Sequence, residues 1–431
     1  MYDFNDVHGN LNENVFAYSN RAGNERAVIC YHNKYAETAG WIKISIGRNI
    51  ASTDEPKISQ ASLADALGIC GEDNYYYMFR DRKSTLEYIR SGREFHERGI
   101  YVELKAFQYR IFINFCEIHD TTGVYRDLCD QLQGRGVPDM QLALREYQLT
   151  PVHSALQEFL SKQVVGEIVQ ICFAGVKKSK SYEQKLNQII QKFGHLLKQT
   201  ATVVPEVSNT PTIVEEFRND LTTFEEFLSG MLSGKSIKGM SSRSMKGATV
   251  SKVGFKSGSD DRNILVLISW LVSRRLLQVA GDDGFSQLGL GGAFERIFQN
   301  AGRSSEELND DLALLSILLR HQTVFVNLTK EDGYQVLADL LEHRDVQDRI
   351  KVNVYNGIVY YNKEAFEELM WWLFIVESFE QMRMQTKATK GTIDGFDRLS
   401  DALKVSNGCT FKFETLKFLL APQSGETIVK P

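Results

Sequence analysis

The sequence predicts a multidomain α+β protein, with an N-terminal antiparallel β-sandwich (residues 1–149) followed by a mostly α-helical domain (residues 150–431) that contains one β-hairpin. Three observations support this fold class. Before residue 149, apolar side chains recur at every second position, which is typical of half-buried strands. From Pro151 onward they recur at helical spacing. Between Ile350 and Tyr361, Asn356-Gly357 separates two β-rich runs, which indicates a hairpin with a two-residue turn.

The first domain is organised around the stretch Gly99 to Asp120. Its apolar positions change phase by one residue near Lys105–Phe107. Because such a slip turns every later side chain to the other face, we expect a bulge or corner there in one long strand. Further strands are predicted at Val15–Tyr18, Ala27–Tyr31, Ile42–Ile46 and Asn74–Arg80, with short helices at Ser84–Glu97, Tyr125–Leu132 and Asp139–Tyr147.

The second domain is predicted to begin with Pro151 at a first helical position, where its missing N–H costs nothing. A segment rich in Gly, Ser and Lys, residues 230–259, predicts a flexible loop. Its lysines leave two interpretations open, a phosphate-binding arm or a solvated linker. Helices are predicted at Tyr182–Leu197, 212–232, Ile264–Val279, Ala293–Phe298, Ser305–Arg320 and Gly333–Leu341, and after Asn362.

Composition limits the functional classes. The net charge of −5 gives no general attraction to nucleic acid or to an anionic membrane. Six scattered cysteines form no CxxC motif, so neither a disulfide framework nor a metal site is indicated. The N-terminus resembles no signal peptide, and the apolar run Ile264–Val272 is too short to span a bilayer. We therefore expect a soluble, cytoplasmic protein without nucleic-acid or membrane partners.

No motif in the sequence indicates autonomous catalysis or a cofactor. Glu117 and Asp120 are carboxylates close in sequence, but they lie on a predicted sandwich strand without the companion motif that glycoside hydrolysis requires. Gly234-Lys235-Ser236 ends like a phosphate-binding loop, yet the spacing of its glycines is one residue short and no strand precedes it. The histidines include no i, i+4 pair that would indicate zinc.

Two segments nevertheless resemble a known family. NVFAYSNRAGNERAV from Asn14 and YHNKYAETAGWI from Tyr31 are similar to the region that follows the catalytic barrel in large α-amylase-superfamily (glycoside hydrolase family thirteen) proteins. Tyr101–Ile118, Leu128–Leu144 and Tyr355–Leu373 resemble later parts of the same proteins. The resemblance implies an amylase C-terminal-domain-like sandwich. The barrel and its catalytic carboxylates are absent from this chain, which implies a non-catalytic fragment of a split, truncated or separately encoded carbohydrate-metabolism enzyme.

The resemblance implies two kinds of site. The sandwich would dock a separate glycosidase barrel polypeptide through apolar residues near the N-terminus: Tyr2, Phe4, Tyr18 and Tyr35, with Trp41 beside them. Aromatic rings that would stack on an α-glucan are Trp41, Tyr75 and Tyr77. The same aromatics are also consistent with ordinary sandwich core. The alternative function is a free-standing scaffold whose helical domain binds a protein partner.

Overall fold

The computed structural model describes residues 1–49, 58–173, 180–204, 210–233, 262–281, 283–321, 330–384 and 395–420. By internal packing the chain divides into two units, Met1–Thr150 and Pro151–Pro431. The first unit is mainly antiparallel β structure and the second is mostly helical, so the protein belongs to the mixed α+β class.

The strands and helices of the first unit follow in chain order. The strands are β1 (Tyr2–Asp6), β2 (Val15–Ala22), β3 (Glu25–His32), β4 (Thr38–Ser45), β5 (Arg48–Asn49), β6 (Ile58–Ser59), β7 (Tyr75–Asp81), β8 (Glu87–Ser91), β9 (Ile100–Leu104) and β10 (Tyr109–His119). The helices are α1 (Leu63–Leu67), α2 (Gly92–Glu97), α3 (Val124–Leu132) and α4 (Met140–Phe159), the last of which continues into the second unit.

Eight of these strands form one antiparallel sheet in the order β8-β7-β10-β3-β2-β1-β4-β9. The sheet curls on itself, because side chains from strands far apart in this order meet in one core. Phe4, Phe79 and Val102 pack there with Leu67 of α1 and Phe95 of α2. The predicted antiparallel β domain is thus confirmed in its coarse form. A single curled sheet surrounds the core of this unit, and the short helices α1 and α2 pack into that core.

The long corner strand is interrupted more sharply than predicted. The change of phase falls in a turn between β9 and β10, where Phe107 has a φ of +53°. β9 lies at the edge of the sheet beside β4, whereas β10 lies between β7 and β3. The bulge is present but further along β10, where Asn114 has a φ of +58° and the register with β7 shifts between Ile113 and Cys116.

Two predicted helix boundaries are wrong for reasons of tertiary context. Ser84–Glu97 is not one helix: Glu87–Ser91 forms strand β8 against β7, and only Gly92–Glu97 is helical. Pairing with an existing strand edge satisfies the backbone of β8 better than an isolated short helix would. Pro151 does not begin a helix but lies inside α4. Packing of Val152 and Leu156, both fully buried, holds the helix together across the lost hydrogen bond.

The second unit follows the predicted helical pattern closely. Its described elements after α4 are α5 (Lys162–Phe173), α6 (Lys180–Val203), α7 (Thr210–Ser233), α8 (Arg262–Ala280), α9 (Gly284–Gln287), α10 (Leu290–Asn300), α11 (Ser305–Arg320), α12 (Lys330–Glu342), α13 (Arg344–Arg349), β11 (Asn353–Tyr355), β12 (Ile358–Tyr360), α14 (Lys363–Met384), α15 (Gly395–Gly408) and α16 (Phe413–Leu420). The predicted hairpin is β11–β12, and Asn362 caps α14 through the Ala365 N–H at 2.8 Å.

The core of the second unit is rich in aromatic rings. Phe193 and Phe217 stack with their ring centroids 3.7 Å apart, and Phe159 meets both rings edge to face. Trp270 of α8 meets Phe379 of α14 edge to face at 5.5 Å. Aromatic pairs of this kind contribute about 0.5–1.5 kcal/mol each beyond the area that they bury.

α8 is long and apolar enough, by length and composition, to cross a membrane. Of its most apolar stretch, 67% is buried, which is also typical of the core helix of a soluble protein. The run Ile264–Val272 alone is too short to span a bilayer.

The segment 230–259, predicted to be a flexible loop, is only partly described. Gly230 to Ser233 belong to α7, and the rest of the segment lies outside the described residues. The lysine-rich arm and the Gly234-Lys235-Ser236 motif lie outside them too.

Candidate functional site

The candidate site is the outer surface of the sheet in the first unit. The segments Val15–Tyr18 of β2 and Ala27–Tyr31 of β3 are apolar on both faces: Val15, Ala17, Val28 and Cys30 belong to the core, and the residues between them lie on the opposite face. An antiparallel sheet usually has one polar face towards water. The apolar second face of these segments is therefore a candidate interaction surface.

Strand register brings the outward side chains into two rows. Phe16 of β2 lies opposite Tyr31 of β3, which lies opposite Tyr109 of β10. One step along, Tyr18 lies opposite Ile29, which lies opposite Ile111. Directly opposed residues in an antiparallel pair are about 4.5–5.5 Å apart, so each row is continuous. We call these six residues the outer apolar face.

The outer apolar face is accessible. Phe16, Tyr18 and Tyr109 are 44%, 45% and 45% exposed, and Ile29 is half-buried. Large side chains on a soluble surface usually occur singly, and a contiguous group of them marks an interaction site.

A second aromatic pair is formed by Tyr35, which follows β3 in the chain, and Phe107, which precedes β10. Tyr35 is 86% exposed, and its ring lies 6.4 Å from that of Phe107, which is also exposed. The backbone N–H of Phe107 donates to the carbonyl of Lys34, which ties this pair to the end of β3. The ammonium of Lys83 lies 4.9 Å above the ring of Tyr109 and places one positive charge beside the outer apolar face.

The residues beneath the outer apolar face hold it rigid. Asp81 of β7 is fully buried and accepts hydrogen bonds from Arg110 of β10 at 2.5 Å and from the hydroxyl of Ser84 at 2.7 Å. Burial alone would raise the pKa of Asp81, but these donors outweigh it and the pKa lies below its usual value. The buried ion pair fixes β10 against β7 at the strand that carries Tyr109 and Ile111.

The predicted docking residues divide between core and surface. Tyr18 belongs to the outer apolar face, and Tyr35 flanks it. Tyr2 and Phe4 are only 6% and 1% exposed, because their side chains of β1 point into the core. They are therefore unavailable to a partner, which corrects the expectation for both residues.

The predicted sugar-binding aromatics lie on two different strands, and Trp41 and Tyr75 pack on different neighbours. Four strands separate β4, which carries Trp41, from β7, which carries Tyr75 and Tyr77. Trp41 packs on Tyr101 of β9 at 5.1 Å, and Tyr75 packs on His119 at 5.0 Å.

Tyr77 has no ring face to offer a sugar, because it is fully buried in the core of the first unit. Its hydroxyl donates to Glu117 Oε2 at 2.7 Å and accepts from the Cys70 N–H at 2.7 Å. Burial and the hydrogen bond to Glu117 both raise the pKa of Tyr77. The prediction of a sugar contact at Tyr77 is thus corrected: the residue is a core tyrosine.

Glu117 and Asp120 both accept hydrogen bonds from neighbouring groups. Glu117 also accepts from Arg26, whose guanidinium Nε donates to the Leu67 carbonyl at 2.8 Å and so anchors the end of α1. Asp120 accepts three backbone N–H groups, from Thr122, Gly123 and Arg126, at the start of α3. Burial opposes these bonds, but they prevail and hold the pKa of Asp120 below its usual value. Both carboxylates are occupied with structural hydrogen bonds.

Metal binding has no support in the described part of the chain, where no group of three His, Cys, Asp or Glu side chains is placed to hold an ion. Most members of the outer apolar face were missed as site residues by sequence reasoning. The signal that could have identified them is the apolar run on both faces of β2 and β3. What the outer apolar face offers chemically is apolar and aromatic contact area.

Comparison with known proteins adds no relative: no protein-family model, no curated protein and no solved structure matches this chain.

Proposed function

We propose that the chain is a non-catalytic accessory region of an α-amylase-type glycoside hydrolase, whose first unit packs against a catalytic barrel through the outer apolar face. The observation that carries this proposal is the pair of rows Phe16–Tyr31–Tyr109 and Tyr18–Ile29–Ile111 on a sheet surface that the described residues of the first unit leave partly exposed. The similarity of Asn14–Asn33 to the post-barrel segment of that family supplies the choice of partner, because this segment forms β2 and β3.

The outer apolar face suits a protein better than a glucan. Three of its six residues, Ile29, Tyr31 and Ile111, are half-buried, and two of these are aliphatic. The Lys83 ammonium lies over one side of the Tyr109 ring. Sugar stacking needs open ring faces, whereas a packed protein interface uses aliphatic and aromatic area alike. An α-glucan remains a second ligand in the proposal, contacting exposed rings such as Tyr35 at the margin.

The test is association with a barrel. The full chain is mixed with a purified α-amylase-type barrel that lacks its own C-terminal domain, and complex formation is followed by analytical ultracentrifugation. We expect a 1:1 complex that buries more than about 1,000 Å² in total. The double variant Phe16→Ser with Tyr18→Ser should weaken it at least tenfold, since central aromatics carry most interface energy.

The matched control is Tyr355→Ser, which removes a tyrosine of 67% exposure from the hairpin of the second unit. It should leave the barrel complex unchanged. No complex at micromolar concentrations, or equal weakening by the control, would contradict the proposal.

A second candidate function is a protein scaffold acting through the second unit. The hairpin β11–β12 favours it, because Val354 and Tyr355 are 69% and 67% exposed at its tip, and Phe411 beside its base is 52% exposed. A two-stranded hairpin is marginally stable alone. If the second unit is the binding unit, Tyr355→Ser should abolish binding of the protein partner, whereas the double variant Phe16→Ser with Tyr18→Ser should not.

A further inference from the structure

A cleft of about 780 Å³ opens in the second unit, between α7, α8, α9, α11 and α14. Its described lining contains four guanidinium groups, those of Arg274, Arg275, Arg320 and Arg383, and one carboxylate, that of Glu216. Three further carboxylates outside the lining pair with these arginines, those of Asp220, Glu380 and Asp345. The cations come from three different helices, so the fold gathers charges that are far apart in sequence.

Acids behind the cleft hold the first two arginines in place. Asp220 of α7 is fully buried and pairs with Arg274 at 2.9 Å and with Arg275 at 2.6 and 2.8 Å. Glu380 of α14, 1% exposed, pairs with Arg274 at 2.8 Å. Arg275 also contacts Glu216 at the cleft margin. Arg274 and Arg275 are therefore both paired with carboxylates at the cleft.

The other two arginines keep guanidinium nitrogens that have no acceptor among the described residues. Arg383 spends its Nε and Nη2 on Glu380, each at 2.9 Å, and Arg320 spends only its Nη1, on Asp345 at 2.6 Å. Within the described residues, no group accepts from Arg383 Nη1 or from Arg320 Nε and Nη2. Their side chains are 28% and 54% exposed.

Ser316 adds a hydroxyl group to the lining of the cleft. Ser316 lies one helical turn before Arg320 on α11, so the two side chains share a face of the helix. Among the residues that the structure describes, the Ser316 hydroxyl has no hydrogen-bond partner. Guanidinium forks together with a hydroxyl are the donors that proteins use for phosphate oxygens.

The remaining wall of the cleft is apolar. Leu277 of α8, Phe285 of α9 and Leu319 of α11 line it, and Phe285 is half-buried with part of its ring open. A ligand that satisfies both walls has an anionic end and an apolar or planar body. The volume is within the range of small-molecule sites, about 300–1,000 Å³.

We propose that this cleft binds an organic phosphate with a planar body. Its phosphate oxygens accept hydrogen bonds from Arg320, Arg383 and Ser316, and the body lies against Phe285. The site lies wholly in the second unit and does not depend on the function proposed for the outer apolar face.

The test is calorimetric titration of the full chain with ATP and, separately, with pyrophosphate. ATP should bind in the micromolar range, and pyrophosphate, which lacks the planar body, at least tenfold more weakly. Arg320→Gln should weaken ATP binding about tenfold, since one charge-assisted hydrogen bond is lost. Phe285→Ala should weaken ATP binding several-fold and leave pyrophosphate unchanged.

Arg344→Gln is the matched control, because it removes the same charge from a side chain that is 93% exposed and outside the cleft. It should change ATP affinity less than twofold. The proposal is overturned if neither probe binds at millimolar concentration, if Arg320→Gln and Arg344→Gln weaken binding equally, or if ATP and pyrophosphate bind alike. Arg320 is largely exposed, so its variant keeps the fold, which circular dichroism verifies.

Discussion

The buried ionic cluster at Asp220 gives the sharpest prediction about stability. Asp220 is fully buried and holds two arginines, and the side chains of Arg274 and Arg275 are only 8% and 6% exposed. Burial already lowers the pKa of Arg274, which shows how costly its charge is to enclose. Asp220→Ala removes the shared acid and leaves both guanidinium groups with one fewer counter-charge.

The expected loss follows from this arrangement. Removing one partner of a buried ion pair typically costs 3–5 kcal/mol, roughly, because a buried charge is left uncompensated. Glu380 and Glu216 still contact Arg274 and Arg275, which keeps the loss within that range. We therefore expect the free energy of unfolding of the second unit to fall by about 3–4 kcal/mol.

Tryptophan fluorescence in urea measures this change selectively. Three of the four tryptophans belong to the second unit, and Trp270 lies 5.6 Å from the Arg274 guanidinium. The control is Glu215→Gln, whose side chain is 65% exposed and pairs with Arg218 at 3.6 Å; it should cost less than about 1 kcal/mol. A loss below 1 kcal/mol for Asp220→Ala would refute the view that this cluster is a tightly compensated buried network.

Two further predictions concern pH and a turn. Burial and the neighbouring His343 lower the pKa of His321 to about 4, below its usual 6.5. The unfolded chain therefore takes up this proton first as the pH falls, so stability is full above pH 6.5 and declines towards pH 4, by up to roughly 3 kcal/mol. In urea titrations, His321→Phe should flatten that decline, and an unchanged slope would contradict the assignment. Gly357→Ala should destabilise the β11–β12 hairpin by about 1 kcal/mol, because Gly357 has a φ of +75°; the reading is wrong if hydrogen exchange in β11 and β12 is unaffected.

Much of the local structure could be predicted from residues that lie close together in the chain. Periodicity located α11 at Ser305–Arg320, and Asn356-Gly357 located the hairpin turn. These features are decided by neighbours in the chain: an apolar stripe at helical spacing, or two residues that tolerate positive φ. The class of the protein, an antiparallel β unit followed by helices, followed from the same signals.

Tertiary structure decided what adjacent residues cannot encode. Glu87–Ser91 is a strand only because β7 offers it an edge, and Pro151 lies inside a helix only because the flanking turns are buried. Tyr2 and Tyr18 are both aromatic residues of neighbouring interior strands, β1 and β2, yet Tyr2 is buried in the core and Tyr18 is exposed. The difference arises because the curl of the sheet encloses only one face of each strand.

The two candidate sites depend on long-range placement for the same reason. The outer apolar face needs the register of β2, β3 and β10, and the arginine cleft needs three helices to converge. Such convergence is a property of the packed chain. The local pattern predicts the helix or strand in which a side chain lies, whereas its neighbours across the fold depend on which buried surfaces fit together.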